Sequence, residues 1–260
     1  MKKFTLQLLL SVLIFLSSIV IVGCLPRSKE DIKKTANGFL VVVKVTTKGN
    51  SESGNGIIFK SEKGTYSVLT AHHILTSIEE ETSSDRKVEI ITSDKKSYLV
   101  DISSIYPPDK ELDISVFRFK SDLNYSTAFL EEKIDLTRPV YLLGHKICDN
   151  VENDDLEFSQ GKIKENIPRD GGHNLFYTNA AIAGMSGSPI LNTQGNVIGI
   201  HAASGPNEKR DLETPKKDRK SDKTDKSALT SSAKLNCTKL TSYFQNNYGI
   251  PVSEFRKYLN

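Results

Sequence analysis

Short runs rich in Val, Ile, Phe, Tyr and Thr, separated by Gly, Asn, Ser and Asp, recur along this 260-residue chain from residue 38 onward. Side chains of the first kind suit a pleated, half-buried surface, and the small polar residues between them make turns. Six runs precede residue 125, at 39–47, 55–59, 66–70, 87–92, 97–106 and 114–119. Six more follow, at 139–144, 157–164, 175–180, 189–191, 197–203 and 228–235. Such spacing predicts an all-β sandwich or barrel. The division into six and six predicts two six-stranded antiparallel β-barrels, over 38–125 and 126–235, because closing a sheet on itself removes its exposed edges. Leu240, Tyr243 and Phe244 follow an i, i+3, i+4 spacing, which predicts a short amphipathic α-helix over 238–247, within a C-terminal segment 236–260.

The first 23 residues stand apart. Met1-Lys2-Lys3 is positive, residues 8–22 are apolar apart from small serines, and Ile21-Val22-Gly23-Cys24 brings small residues up to a cysteine. A basic start, an apolar centre and small residues before a cut site describe an export signal. The ending resembles the lipobox of bacterial lipoproteins, which implies a lipid on Cys24 as the first mature residue. The alternative is an uncleaved membrane anchor, for which the segment is short. Both readings export the remainder and hold it at a bacterial cell membrane or outer membrane, facing away from the cytoplasm. Residues 24–37, polar and charged, read as a tether.

Charge excludes one class of partner. Basic residues number 35 and acidic ones 32, and Lys2 and Lys3 belong to the export signal, so no nucleic-acid footprint remains. Between the last two β-rich runs, residues 208–226 carry eight basic and six acidic side chains. With so little apolar surface to offset its ordering entropy, this segment reads as a mobile loop, either solvated or touching a charged partner or lipid headgroups. Two further cysteines are present, Cys148 and Cys237. Export permits a disulfide between them, and two free thiols fit the sequence equally.

Gly184-Met185-Ser186-Gly187-Ser188-Pro189 sets a serine between glycines, directly ahead of an apolar run. Glycine lets the backbone turn sharply and admits a close neighbour, as an exposed nucleophilic hydroxyl flanked by backbone N–H groups requires. The same residues also punctuate ordinary loops. A hydroxyl is a poor nucleophile at neutral pH and needs a base, and the base needs a group to fix its tautomer. One β-rich run ends in His72 and His73. On an extended strand these would point to opposite faces, which disfavours a shared metal even with Glu79, Glu80 and Glu81 nearby in sequence. Asp113 opens the apolar stretch Ile114-Ser115-Val116-Phe117 and follows Leu112. A carboxylate there is either a strand-start turn residue or one held by a hydrogen-bonding partner, since burying it alone is costly.

Together and in this order, Thr70-Ala71-His72-His73, Asp113-Ile114-Ser115-Val116 and Gly184-Met185-Ser186-Gly187-Ser188-Pro189 resemble the three signatures of chymotrypsin-fold (trypsin-like) serine proteases. The resemblance covers residues 38–250. It implies a serine endopeptidase acting on polypeptides without metal or cofactor. It assigns His73 as base, Asp113 as orienting acid, Ser186 as nucleophile, and the backbone N–H groups of Gly184 and Ser186 as oxyanion hole. His72 falls where the family has a small residue. Met185 stands where digestive-type relatives have an aspartate that pairs with a freed N-terminal amine, so that route of activation is closed.

Ser159-Gln160-Gly161-Lys162-Ile163 and Asn179-Ala180-Ala181-Ile182 resemble the high-temperature-requirement proteases. Pro189-Ile190-Leu191-Asn192 and Val197-Ile198-Gly199-Ile200-His201 resemble both these and the bacterial glutamyl endopeptidases. By that likeness His201, with Ala181, Ala202 and Ala203, lines the substrate pocket, and His201 contacts an acidic side chain just before the cut. Ala181 replaces a threonine of the glutamyl enzymes, and Ala202 an aromatic. The pocket is therefore either acid-specific or walled by His201 for a small neutral side chain. The other function class is a protease fold that binds or senses a partner with little cleavage.

Overall fold

The first sheet grows from β1 (Leu40–Thr46), whose first four residues are all buried. β1 pairs with β2 (Ser51–Glu62) on one side and β4 (Lys87–Thr92) on the other. β3 (Thr65–Ala71) joins β2 to β6 (Ile114–Lys120), and β5 (Ser97–Leu99) edges β4. The order is β5-β4-β1-β2-β3-β6, every pair antiparallel. The second sheet holds β7 (Val140–His145), β8 (Leu156–Gly161), β9 (Ile163–Asn166), β10 (Leu175–Tyr177), β11 (Pro189–Leu191), β12 (Val197–Ser204) and β13 (Asn247–Pro251) in the order β8-β7-β11-β12-β13-β10-β9. The structure, a computed structural model, describes residues 26–47, 51–76, 86–146, 156–205, 244 and 246–259.

The expected pair of six-stranded barrels is thus a six-stranded and a seven-stranded curled sheet. The run 157–164 accounts for part of the difference. It breaks at Gly161, where a Cβ would collide with Asn179, and Asn179 Nδ2 donates to Ser159 O at 2.9 Å and Val140 O at 3.2 Å. The chain bends there, so β8 serves β7 and β9 serves β10. β13 was not among the expected runs. It lies between β12 and β10. Of the helix expected over 238–247, residues 238–243 and 245 lie outside the described residues and Asn247 opens β13; the short C-terminal helix of the described residues is α3 (Val252–Phe255). The run 97–106 is a short strand followed by a 3-10 turn over Ile102–Ser104, because Asp101 accepts the Ser103 N–H at 3.0 Å and starts that turn.

Within the stretch 24–37 read as a tether, the described residues 26–37 include a helix. Helix α1 (Lys29–Asn37) is capped by Ser28, whose hydroxyl accepts from Asp31 N at 3.1 Å. Ile32 and Ala36, four apart, share one face and are fully buried. Arg27 N donates to Thr193 O at 2.9 Å, fastening the start of α1 to the turn between β11 and β12. The run at 228–235, the charged segment 208–226, Cys24, Cys148 and Cys237 lie outside the described residues. One apolar cluster runs through Val43, Leu69 and Phe117 of the first sheet and Ile200, Ile250 and Phe255 of the C-terminal half, so the two sheets share a core.

Candidate active site

The antiparallel register of β3 and β6 ends at Ala71 opposite Ile114. One step further, His72 and Asp113 must be neighbours, and His72 N donates to Asp113 O at 3.1 Å. The chain then leaves the extended form that the sequence suggested and turns into the short helix α2 (His72–Thr76). The turn sends the two histidines to different partners. His72 Nδ1 lies 2.6 Å from Ser115 Oγ. His73 donates its backbone N–H to Asp113 Oδ1 at 2.8 Å, and its Nδ1 lies 2.7 Å from Oδ2. Both carboxylate oxygens therefore fix the same residue, and the far side of the His73 ring faces outward, with the side chain 45% exposed.

Burial pushes the Asp113 carboxyl upward, but hydrogen bonds from His173 and His73, with the charge of His73, hold it well below the ordinary carboxylate range. Asp113 is thus an anion at neutral pH. His173 was not singled out in the sequence. Its Nε2 lies 3.3 Å from Asp113 Oδ2.

Ser186 comes from the second sheet, on the loop that enters β11. Gly184 and Gly187 flank it at φ 91° and 82°. At Gly187 a Cβ would overlap the carbonyl oxygen of Asn55, so only glycine fits this close approach. Asn55, fully buried on β2, holds the loop from the other barrel. Its backbone N–H donates to Ser186 O at 2.7 Å, and its Nδ2 donates to Gly184 O at 2.9 Å and His145 O at 3.0 Å. Its Oδ1 accepts from His145 N at 2.8 Å. The carbonyls of Gly184 and Ser186 are thereby anchored, while among the described residues neither of their N–H groups donates to a protein acceptor.

The two halves of the site meet at Gly54. A Cβ there would overlap Ile74 Cδ1 and sit 3.0 Å from Ser186 O. The residue after His73 and the backbone of Ser186 thus flank one point on β2. Among the described residues no hydrogen bond joins Ser186 Oγ to His73.

Residues 54–200 match the family model described as the trypsin-like peptidase domain. The chain belongs to that family. No curated protein matches the chain. Among solved structures it is similar to the HtrA-type protease AlgW, solved as an alanine-for-serine variant with a tripeptide, at 17% identity and a TM-score of 0.58. That likeness covers 89% of this chain and 62% of the AlgW chain, and it is a likeness of fold.

His201, the first residue past the matched range, lies on β12 beside the serine loop. Gly187 N donates to His201 O, and His201 N to Ser188 O, both at 2.8 Å. The ring is buried, 2% exposed, with Nδ1 2.5 Å from the hydroxyl of the fully buried Tyr177. Ala181 and Ala202 are also buried, and Ala203 is half-buried. The backbone of Ala181 forms an antiparallel bridge with Phe244. Burial, and then the charges of His73 and His173, push the His201 imidazole down to about 3. Between the ordinary histidine value of about 6.5 and about 3, the unfolded chain takes a proton that the native state refuses.

Stability should therefore fall as pH drops through that window, by up to roughly tenfold in the folding constant per pH unit. Asp113, depressed in the native state, adds a second loss as pH falls below about 4. Urea unfolding at pH 7, 6, 5 and 4 should show the first slope in the wild type and its absence in His201→Gln. Equal slopes in the two proteins would refute the assignment to His201.

Asn55, Tyr177 and His173 carry much of this geometry, and the sequence reading used none of them as site residues. Asn55 lay in a glycine-flanked strand start, and His173 in a Gly-Gly-His turn. They act on residues 24 to 131 positions away, which no local pattern encodes.

Proposed function

We propose that the chain is an exported serine endopeptidase. The observation that carries this reading is the double hold of Asp113 on His73, which leaves the outer ring nitrogen without a hydrogen-bond partner among the described residues, next to Ile74, which meets Gly54 where Ser186 O also lies. In the reaction, His73 Nε2 takes the proton from Ser186 Oγ as that oxygen attacks the scissile carbonyl. The oxyanion faces the N–H groups of Gly184 and Ser186, donors that in such sites contribute about 3–4 kcal/mol each. His73, protonated and stabilised by Asp113, gives its proton to the leaving amine. Water then releases the acyl group from Ser186 by the same proton route.

For specificity, the reading is cleavage after Glu. Tyr177 keeps its proton because burial raises it well above its ordinary value, so it donates to His201 Nδ1. Nε2 then carries the hydrogen that an acidic side chain would accept. Lipid on Cys24 would hold the enzyme at the membrane, four residues before the Ser28 cap of α1.

One observation favours a second reading, a protease-fold module that binds a partner: the Ser186 hydroxyl is not bonded to His73 among the described residues. Resting sites do often hold these bonds long and tighten them on substrate. A fluorophosphonate probe separates the two. The enzyme should be acylated at Ser186, whereas folded protein that takes up no label would establish the binding module. A peptide-library digest should show cuts enriched after Glu, and no such enrichment would remove the role given to His201. Cys24→Ser should move the protein from the membrane to the soluble fraction.

A further inference from the structure

We propose that His173 is a positioning residue that orients Asp113, and through it His73, from across the seam between the two sheets; this rests on the serine endopeptidase reading. Asp113 and His73 belong to the first sheet and are held to each other by residues on either side of the β3–β6 pairing. Ser186 belongs to the second. Asn55 on β2 links the backbone of the Ser186 loop to the first sheet, but none of its hydrogen bonds reaches Asp113 or the His73 ring, so a link from the second sheet to that pair must come from elsewhere. His173 supplies such a link, because it enters from the second sheet, just ahead of β10, and reaches Asp113 Oδ2 with Nε2 at 3.3 Å.

The turn that delivers it is built for that approach. Asp170–Gly172 forms a tight 3-10 turn with Gly171 and Gly172 at φ 67° and 73°. Gly171 O accepts the backbone N–H of Asp113 at 3.1 Å. A Cβ on Gly172 would lie 2.6 Å from Leu112 Cδ2, so the turn packs directly on the residue before Asp113. The turn is itself braced. Arg169 N donates to Asn174 Oδ1 at 2.8 Å, the Arg169 guanidinium to Asn174 O at 2.9 Å, and Asn174 Nδ2 to Glu254 Oε1 at 2.9 Å. A braced turn thus holds both the main chain and the carboxylate of Asp113.

The carboxylate has one remaining freedom, rotation about Cβ–Cγ. His73 alone sets it with two donors on the same side chain's own residue. A third donor from an independent element locks it in a frame that also contains Ser186. A donor to a buried carboxylate is stronger than one between neutral groups, which makes such a lock effective.

The test uses the full chain with His173→Ala and His173→Gln. Three quantities are read: kcat and KM on a peptide substrate, the rate of fluorophosphonate acylation, and the downfield proton resonance of the His73 Nδ1–H bonded to Asp113. His173→Ala should lower kcat and the acylation rate roughly tenfold at near-constant KM, and should shift or broaden that proton. His173→Gln, which keeps an N–H donor, should recover most of both. An unchanged kcat and proton in His173→Ala overturns the proposal, as does a glutamine variant as impaired as the alanine. If the wild type is not acylated at all, the endopeptidase reading has failed, and the His73 proton in the two variants alone decides whether His173 positions the pair.

Discussion

Ser186→Ala is expected to lower kcat by about a millionfold, the loss seen when the nucleophile of a serine–histidine pair is removed. The same change should leave stability within about 0.5 kcal/mol, as for a substitution that breaks no buried contact. Its hydroxyl has no hydrogen-bond partner among the described residues, and the loop is held by main-chain atoms and Asn55. Activity and folding should therefore separate cleanly at this position. His73→Ala should match the loss, because base and nucleophile act as one unit. His72→Ala should keep turnover. The His72 ring is committed to Ser115, and its loss should cost about 1 kcal/mol of stability for one hydrogen bond. Turnover of the three variants, with urea unfolding alongside, checks the set. A Ser186→Ala protein that still hydrolyses peptide bonds would place the nucleophile elsewhere.

Asp113→Asn should lower kcat by about ten-thousandfold with KM little changed. Three N–H groups converge on this carboxylate: the backbone N–H of His73, its Nδ1, and Nε2 of His173. A carboxylate accepts from all three. An amide has one oxygen, and whichever way it is set its NH2 group faces a donor. If the oxygen stays with the His73 backbone, the NH2 group meets the His73 ring and turns Nδ1 into an acceptor. The proton then sits on Nε2, the nitrogen that must receive the proton of Ser186. The substrate contacts proposed around His201 belong to the second sheet and are untouched by this change, which is why KM should hold. A fall in kcat of less than tenfold would show that Asp113 does not set the tautomer of His73.

The β-rich runs were legible because burial on a pleated sheet demands the side chains that marked them, and eleven of the twelve runs fall on described strands, in whole or in part. The misreadings have physical causes. Gly161 looked like an ordinary strand residue, yet Asn179 crowds it and bends the chain. β13 was not among the expected runs; its Gly249 lies where a Cβ would overlap Ile190 Cδ1, so close packing of strands requires its absence. Helix α1 carries only two buried apolar side chains in nine residues, so its charge hid the Ile32 and Ala36 spacing.

By itself the sequence determined the chemistry that can be present: an all-β chain, a serine between two glycines, and a histidine and an aspartate in the order the family uses. It could do so because strand propensity and short motifs are written in neighbouring residues. Only the tertiary structure decided which atoms meet. The β3–β6 register brings Asp113 to His73 and leaves His72 to Ser115. Asn55 reaches across the seam to hold the serine loop, and His173 reaches back the other way to Asp113. Burial against Tyr177 makes His201 a neutral ring rather than a charged one. Hydrogen-bond geometry and desolvation depend on distances between segments far apart in the chain, and those are fixed only when the two sheets pack.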